Sequence, residues 1–298
     1  MQSSDTFSTY NPAINFMFFA GAVIFGMFFI HPAFLACTCF FAFAYYATIK
    51  RRKAVKLILG MIPVFVVLSA LNPLFNTRGN TVLFTYFGGR PYTMEALYYG
   101  MAIAAMFVAI ITWFACYNVV MTSDKFMYLF GRFIPAISMV LTMVLRFVPN
   151  YQRKLMQILS ARRCIGKSGD SGCKREKAEN SLTAVSALTT WAFEGGIMIA
   201  DSMRSRGYGC GRRTNFSVYR FDGRDRALLM LIMALIAVVF ACGAWGGMET
   251  TYTPRLYIRS ISDGITLFGM VSYTILLAVP TVLNIREDIT WRILRSRI

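Results

Sequence analysis

Histidine is almost missing from this 298-residue sequence. His31 is the only one, which excludes a histidine-based metal site. Acidic residues are scarce, 14 Asp or Glu against 31 Lys or Arg. Charged residues of both signs make up only 15% of the chain, against about 25% in soluble domains. That shortage excludes an ordinary soluble enzyme. The hydrophobic content of 56% and mean hydropathy of +0.52 exclude a disordered chain. Seven cysteines (Cys37, Cys39, Cys116, Cys164, Cys173, Cys210, Cys242) form no CxxC pair and an odd count, so reduced thiols are expected and a disulfide scaffold is not. No cleavable signal peptide is expected, because the N-terminus is polar, carries only Asp5 and lacks a small-residue cleavage site. What remains is apolar, membrane-spanning sequence whose net charge of +17 must sit outside the bilayer.

A membrane span needs about 20 apolar residues. The first apolar block is too long for one helix and is divided by His31-Pro32, which predicts a helical hairpin over 14–31 and 33–49. Further spans are predicted at 54–72, ending at Asn72-Pro73, and at 94–120, 227–247 and 264–284. The apolar stretch 126–149 carries Arg132, Pro135, Arg146 and Pro149 and reads as a broken or interfacial pair of helices. Basic residues accumulate on the cytoplasmic side. Lys50, Arg51, Arg52, Lys53 and Lys56 follow the second span, so both termini are expected in the cytoplasm of a plasma-membrane protein. The outer loops, 73–93 and 248–263, then hold only Arg78, Arg90, Arg255 and Arg259, leaving 27 of 31 cationic residues inside.

Sixteen of the 31 basic residues lie between Arg146 and Arg226. Residues 150–164 place Leu155, Ile158 and Leu159 at helical spacing, opposite Arg153, Lys154 and Arg162. The run Gly166-Lys167-Ser168-Gly169-Asp170-Ser171-Gly172 breaks that helix. A second helix is expected to begin at Asn180 or Ser181, carry Leu182, Val185, Leu188, Trp191 and Ala192 on one face, and run toward Met203. Gly207, Gly209 and Gly211 end it. The expected class is therefore an all-α polytopic membrane protein of about six transmembrane helices with a cytoplasmic helical platform. Its divisions are a transmembrane bundle at 1–149, the platform at 150–225, and a transmembrane pair with a basic tail at 226–298.

One pattern in the platform misleads. Ala161-Arg162-Arg163-Cys164-Ile165-Gly166-Lys167-Ser168 fits a permissive phosphate-loop pattern, and Ile197-Met198-Ile199-Ala200-Asp201 resembles a strand ending in a magnesium-binding acid. A phosphate loop needs a glycine-rich turn between strand and helix. Here the preceding residues have helical periodicity and arginines occupy the loop. No ATPase activity of its own is expected. The sharper feature is Ser205-Arg206-Gly207-Tyr208-Gly209. A glycine there permits a left-handed cap, while the arginine projects beyond the helix, able to hydrogen-bond carboxylates or carbonyls of a partner. The plainer reading is a solvated basic end complementing its own helix dipole. Anionic headgroups would also suit it.

Ala161-Arg162-Arg163-Cys164-Ile165-Gly166 and Ser205-Arg206-Gly207-Tyr208-Gly209 together resemble the paired signature of energy-coupling factor transporter T components, the family that includes the cobalt-transport transmembrane protein. The resemblance covers 161–226, including Trp191 to Gly209 and Tyr219-Arg220-Phe221-Asp222. Family members often show Ala-Arg-Gly, each motif ending a coupling helix whose arginine docks into an ATPase. By that pattern Arg206, with Arg204, Ser205 and Gly207 beside it, docks one ATPase. In the first motif Ile165 stands before Gly166 where the arginine is expected, leaving Arg163, Arg162 or Lys167 as substitutes. The resemblance implies a non-catalytic scaffold of an ABC-type importer. Its partners are two cytosolic ATPases, a small membrane subunit that binds a vitamin or metal ion, and the lipid bilayer. No cofactor and no nucleic-acid partner is implied.

Other residues read as structural. His31 is expected to be a turn residue near the outer surface, Glu95 interfacial at the start of the fourth span, and Glu194 part of the platform where Gly195-Gly196 would allow close helix packing. The many Met and Phe read mainly as packing or lipid-facing residues, some adaptable enough for a partner surface. A secondary transporter or channel binding its own solute is the competing reading, but it calls for charged pairs and broken helices at the midplane, and no convincing pair occurs in the six spans. A membrane-anchored nucleic-acid binder is weakened by Glu176, Glu179, Glu194 and Asp201 within the basic segment.

Overall fold

The computed structural model describes residues 5–76, 79, 81–86, 90–131, 135–166, 174–211, 219, 221–247, 250–252, 257–260 and 262–296. Ten helices are seen among them: α1 (Thr6–Thr9), α2 (Pro12–Phe28), α3 (Pro32–Ile49), α4 (Arg51–Phe75), α5 (Met94–Val120), α6 (Ser123–Gly131), α7 (Pro135–Cys164), α8 (Lys174–Ser205), α9 (Gly223–Ala244) and α10 (Gly264–Ser296). Two short antiparallel hairpins, β1 (Val82–Tyr86) with β2 (Arg90–Thr93) and β3 (Thr250–Thr251) with β4 (Tyr257–Ile258), occupy segments that the sequence had marked only as loops. The protein is an all-α polytopic membrane protein.

The chain divides into two compact units. One comprises Met1–Phe126 with Tyr219–Ile298, the other Met127–Val218. Within the first, α3 packs on α4, α5 and α10, α5 on α2 and α4, and α9 on α2 and α10. Aromatic rings fill the centre. Trp113, Phe18, Phe19 and Tyr45 are fully or almost fully buried, with Trp113 meeting Phe18 edge-on at 5.6 Å and Phe19 at 6.1 Å between centroids. Lipid tails are as apolar as these side chains, so such packing, not water exclusion, holds the helices together.

Helix ends follow the sequence in places and depart from it in others. Pro32 is the first residue of α3, where its missing N–H costs nothing. His31 is the N-cap: Nδ1 accepts from Ala33 N at 3.2 Å, and Nε2 lies 3.2 Å from the Arg259 carbonyl. Its role as a turn residue thus holds, though it is almost fully buried. Pro73 does not end α4, which runs through Pro63 and Pro73 to Phe75. A proline within lipid-embedded helix kinks it and frees one carbonyl, without terminating it when a neighbouring helix covers the gap. The predicted span 264–284 continues about three more turns to Ser296, because Arg286, Arg292 and Arg295 suit a helix emerging from an apolar layer. Glu95 stands in the first turn of α5 as expected, and both its oxygens accept from Thr81 N, at 3.2 and 3.3 Å.

Among the described residues, six helices are long and apolar enough to cross a membrane: α3, α4, α5, α8, α9 and α10. The six predicted spans differ in one member. The first of them is α2, whose 17 residues stand at the lower limit of a span. In its place α8 qualifies on length and composition, since only Glu194 interrupts the apolar stretch between its charged ends.

The short helix α1 joins four other elements where α2 begins and α3 and α5 finish. Asn284 of α10 accepts the N–H groups of Thr6 and Phe7 at 3.0 and 3.3 Å, and its amide donates to Asp5 Oδ1 at 2.6 Å. Tyr45 of α3 donates to Asp5 Oδ2 at 3.0 Å. Lys125 of α6 is buried, and its ammonium donates to the Ser8 carbonyl, to Ser8 Oγ at 3.1 Å and to the Val120 carbonyl at 2.9 Å. Burial raises the Asp5 carboxyl above its ordinary 3.8, against the lowering effect of the hydrogen bonds from Asn284 and Tyr45 and of the Lys125 charge. Burial likewise lowers the Lys125 ammonium below its ordinary 10.5, with Asp5 opposing.

A folded pKa raised above the unfolded one contributes stability that is complete at acid pH and lost as pH rises through the folded value. Asp5 therefore favours folding more below its folded pKa than above it. Asp5→Asn removes the titration, so the stability difference between wild type and variant should shift toward the variant as pH rises from about 4 to about 7. Thermal unfolding in detergent across that range checks it. A difference independent of pH would remove Asp5 from the account.

Candidate functional site

The second unit is built on α7 and α8, an antiparallel helical hairpin. The stretch 126–149, read from sequence as a broken pair, holds the end of α6 and the first half of α7. Pro135 opens α7 at a position where proline fits, and Pro149 is carried inside the helix, so residues 150–164 are the second half of a 30-residue helix. The α8 start lies two turns earlier than expected, because Lys174–Glu179 are residues that favour helix. Asn180 is consequently no N-cap. It accepts from Arg162 Nη2 at 2.8 Å, tying α8 to the end of α7.

Three further contacts set the register. The Tyr151 ring meets Trp191 edge-on at 5.7 Å, Lys154 Nζ lies 5.3 Å from the Trp191 centroid, and Tyr208 donates its hydroxyl to Met139 Sδ. Leu155, Ile158 and Leu159 are half-buried, as their spacing predicts. On α8 the prediction holds for Leu188, Trp191 and Ala192 but not for Leu182 and Val185, which are more than half exposed. The buried stripe is Ala184, Leu188, Trp191 and Gly195. Leu182, Val185, Phe193 and Ile197 form a second apolar stripe on the opposite side. Gly195 and Gly196 have open space where a Cβ would stand, so the close packing expected beside Glu194 is not made.

Each helix ends on a glycine in the left-handed region, φ +76° at both Gly166 and Gly207. At α8 the cap is complete: Gly207 N donates to Arg204 O at 2.9 Å and Tyr208 N to Met203 O at 3.0 Å, a Schellman pair. At α7 the equivalent bond, Gly166 N to Arg163 O, is 3.1 Å. Arg163 therefore corresponds to Arg204, Cys164 to Ser205, and Ile165 to Arg206, the last being the capping residue itself.

Arg204, Ser205, Arg206 and Gly207 are all exposed, as are Arg163, Ile165 and Gly166. Arg162 is half-buried and committed to Asn180. Lys167 lies outside the described residues. Of the two described substitutes for the first motif, Arg163 is the one displayed at the surface. Sequence reasoning missed Tyr208, which folds back on α7 and fixes the turn that carries Arg206. Its place at the position after a capping glycine, where an inward contact is common, was the available signal.

The antiparallel arrangement places these two ends far apart. From Asn180, opposite Arg162, to Arg206 the chain advances 26 residues along α8, about 39 Å at 1.5 Å per residue.

No family model matches the chain. The energy-coupling factor transporter transmembrane protein EcfT of Staphylococcus aureus is 25% identical over 197 residues, covering 62% of this chain and 73% of that protein. EcfT of Streptococcus thermophilus is 29% identical over 177 residues, covering 56% of this chain and 66% of that protein. EcfT of Bacillus subtilis is 25% identical over 105 residues, 35% of this chain and 40% of its own length. The chain is similar to the T components of energy-coupling factor transporters over about a third to three fifths of its length. Within the hairpin the two basic ends are separate, and each carries a glycine at φ +76° with its N–H bonded to an arginine carbonyl three residues earlier, Ile165 standing where Arg206 stands.

Proposed function

We propose that this chain is a T component, the non-catalytic scaffold of an importer, coupling ATP hydrolysis by two ABC ATPase subunits to a small membrane subunit that takes up a vitamin or metal ion. The observation that carries the reading is the pair of exposed, glycine-capped basic ends held about 39 Å apart on one hairpin. Two ends so separated suit two partner molecules, and their guanidinium groups suit acidic or carbonyl-lined grooves. Arg206 with Arg204, Ser205 and Gly207 docks one ATPase. Arg163 leads the other end, with Arg162 holding the turn, and Gly166 and Lys167 belong to the same docking segment. The preponderance of positive charge on one side supports a plasma-membrane location with both termini in the cytoplasm.

Mild-detergent purification of the tagged chain followed by mass spectrometry tests the reading. Two ABC ATPases and a small polytopic protein are the expected companions, and their identities would name the cargo class. A chain that purifies alone yet transports a solute in vesicles would overturn the scaffold role and favour a self-sufficient transporter.

A further inference from the structure

The chain enters its second unit at Met127, two residues after Lys125. Lys125 is the last buried side chain before that point, and almost no surface of it is exposed. Its three ammonium protons meet three oxygens, those of the Ser8 carbonyl, Ser8 Oγ and the Val120 carbonyl. Val120 is the last residue of α5 and Ser8 lies in the last turn of α1, so both carbonyls are ones that a helix end leaves unpaired. One cation thus caps two helices and complements the negative end of each. The other end of α1 is held by Asn284 of α10 and, through Asp5, by Tyr45 of α3. Four elements of the membrane unit therefore converge on α1, and Lys125 connects that node to the helix which leads into the basic hairpin.

We propose that Lys125 is a positioning residue for energy coupling: it fixes the first turn of α6 to the α1 node, so that displacement of the hairpin is delivered to α3, α5 and α10 together. This rests on the coupling role proposed above. Burying a lysine for packing alone would be a poor solution, since an apolar residue of similar length would fill the space without desolvating a charge. The complete set of acceptors indicates a joint that must hold under load.

The test uses the whole complex reconstituted in lipid vesicles: this chain, the two ATPases and the substrate-binding subunit that co-purify with it. Labelled biotin, riboflavin, folate and cobalt(II) serve as probes, the one imported by the wild type being used for the variants. In Lys125→Met, which keeps the length and loses the donors, assembly and ATP hydrolysis are expected to stay within about twofold while substrate imported per ATP falls about tenfold. Ser8→Ala removes one acceptor only and is expected to lower the same ratio about twofold to threefold, so it decides the matter if Lys125→Met does not assemble. An unchanged ratio in an assembled variant overturns the proposal. So does a parallel fall of assembly, hydrolysis and import in Ser8→Ala, which marks a merely structural role. A wild-type complex that hydrolyses ATP and imports none of the probes would overturn the coupling reading itself, and this inference with it.

Discussion

Arg206→Glu is expected to leave the chain inserted and folded while abolishing its co-purification with the ATPases. Arg206 caps α8 as an exposed residue, and its backbone geometry is set by Gly207 and by the two bonds of the Schellman turn, none of which needs the guanidinium. The local cost of the change is an acidic residue at the negative end of a helix, about 0.3–1 kcal/mol and screened by salt. The cost at the interface is larger. Truncating one partner of a buried, hydrogen-bonded charge pair costs about 2–5 kcal/mol, and reversal adds repulsion. Affinity should fall by at least about a hundredfold, enough to empty the complex in a detergent wash. Arg206→Lys keeps the charge but not the planar fork and is expected to fall between the two. Arg163→Glu should weaken binding less, because at that end the capping position belongs to Ile165. Full retention of both ATPases by Arg206→Glu would remove this residue from the docking site.

The signals that were legible in the sequence are those in which one residue type has one local use. Proline at the first position of α3 and glycine after the last position of α7 and of α8 mark helix ends through backbone sterics alone, so His31-Pro32, Gly166 and Gly207 could be placed without tertiary knowledge. Proline inside a helix has no such single meaning. Pro73 and Pro149 were equally good stop signals on paper, and only the neighbouring packing decides that both chains continue through them. Periodicity failed where two apolar stripes share one helix. Leu182 and Leu188 on α8 are both apolar at plausible spacing, yet Asn180 and Trp191 orient the helix so that only the stripe carrying Leu188 meets α7. The Asp5–Lys125 node was invisible because its members lie 120 positions apart and two of the three oxygens that Lys125 meets are backbone carbonyls, which carry no residue identity. The basic, glycine-capped helix ends were legible as residues, whereas their separation along the hairpin required the antiparallel pairing.

Gly100→Ala, a single added methyl group, is expected to destabilise the membrane unit more than larger changes on the lipid face. The reason begins with Pro73. Without an N–H, it leaves the Ser69 carbonyl, one turn earlier in α4, unpaired within the helix. That carbonyl faces Gly100 of α5: a Cβ at Gly100 would stand 2.8 Å from Ser69 O and 2.9 Å from Asn72 Cβ. Backbone oxygen cannot rotate aside, so α4 and α5 must separate. In a bilayer little compensates, since helix association depends on close packing at small residues and not on exclusion of water. Overpacking of this kind costs about 1–3 kcal/mol, and Gly100→Leu should cost more. The effect matters most for α4, whose outward residues Leu59, Ile62, Val66 and Val67 are exposed to lipid and offer no alternative attachment. Gly60→Ala on α4 itself is the control. Nothing lies within 4 Å of a Cβ there, so it should be neutral or slightly stabilising through better helix propensity. Thermal unfolding of the three detergent-solubilised variants separates the cases, and equal melting temperatures for Gly100→Ala and Gly60→Ala would show that α4 and α5 are not held by this close approach.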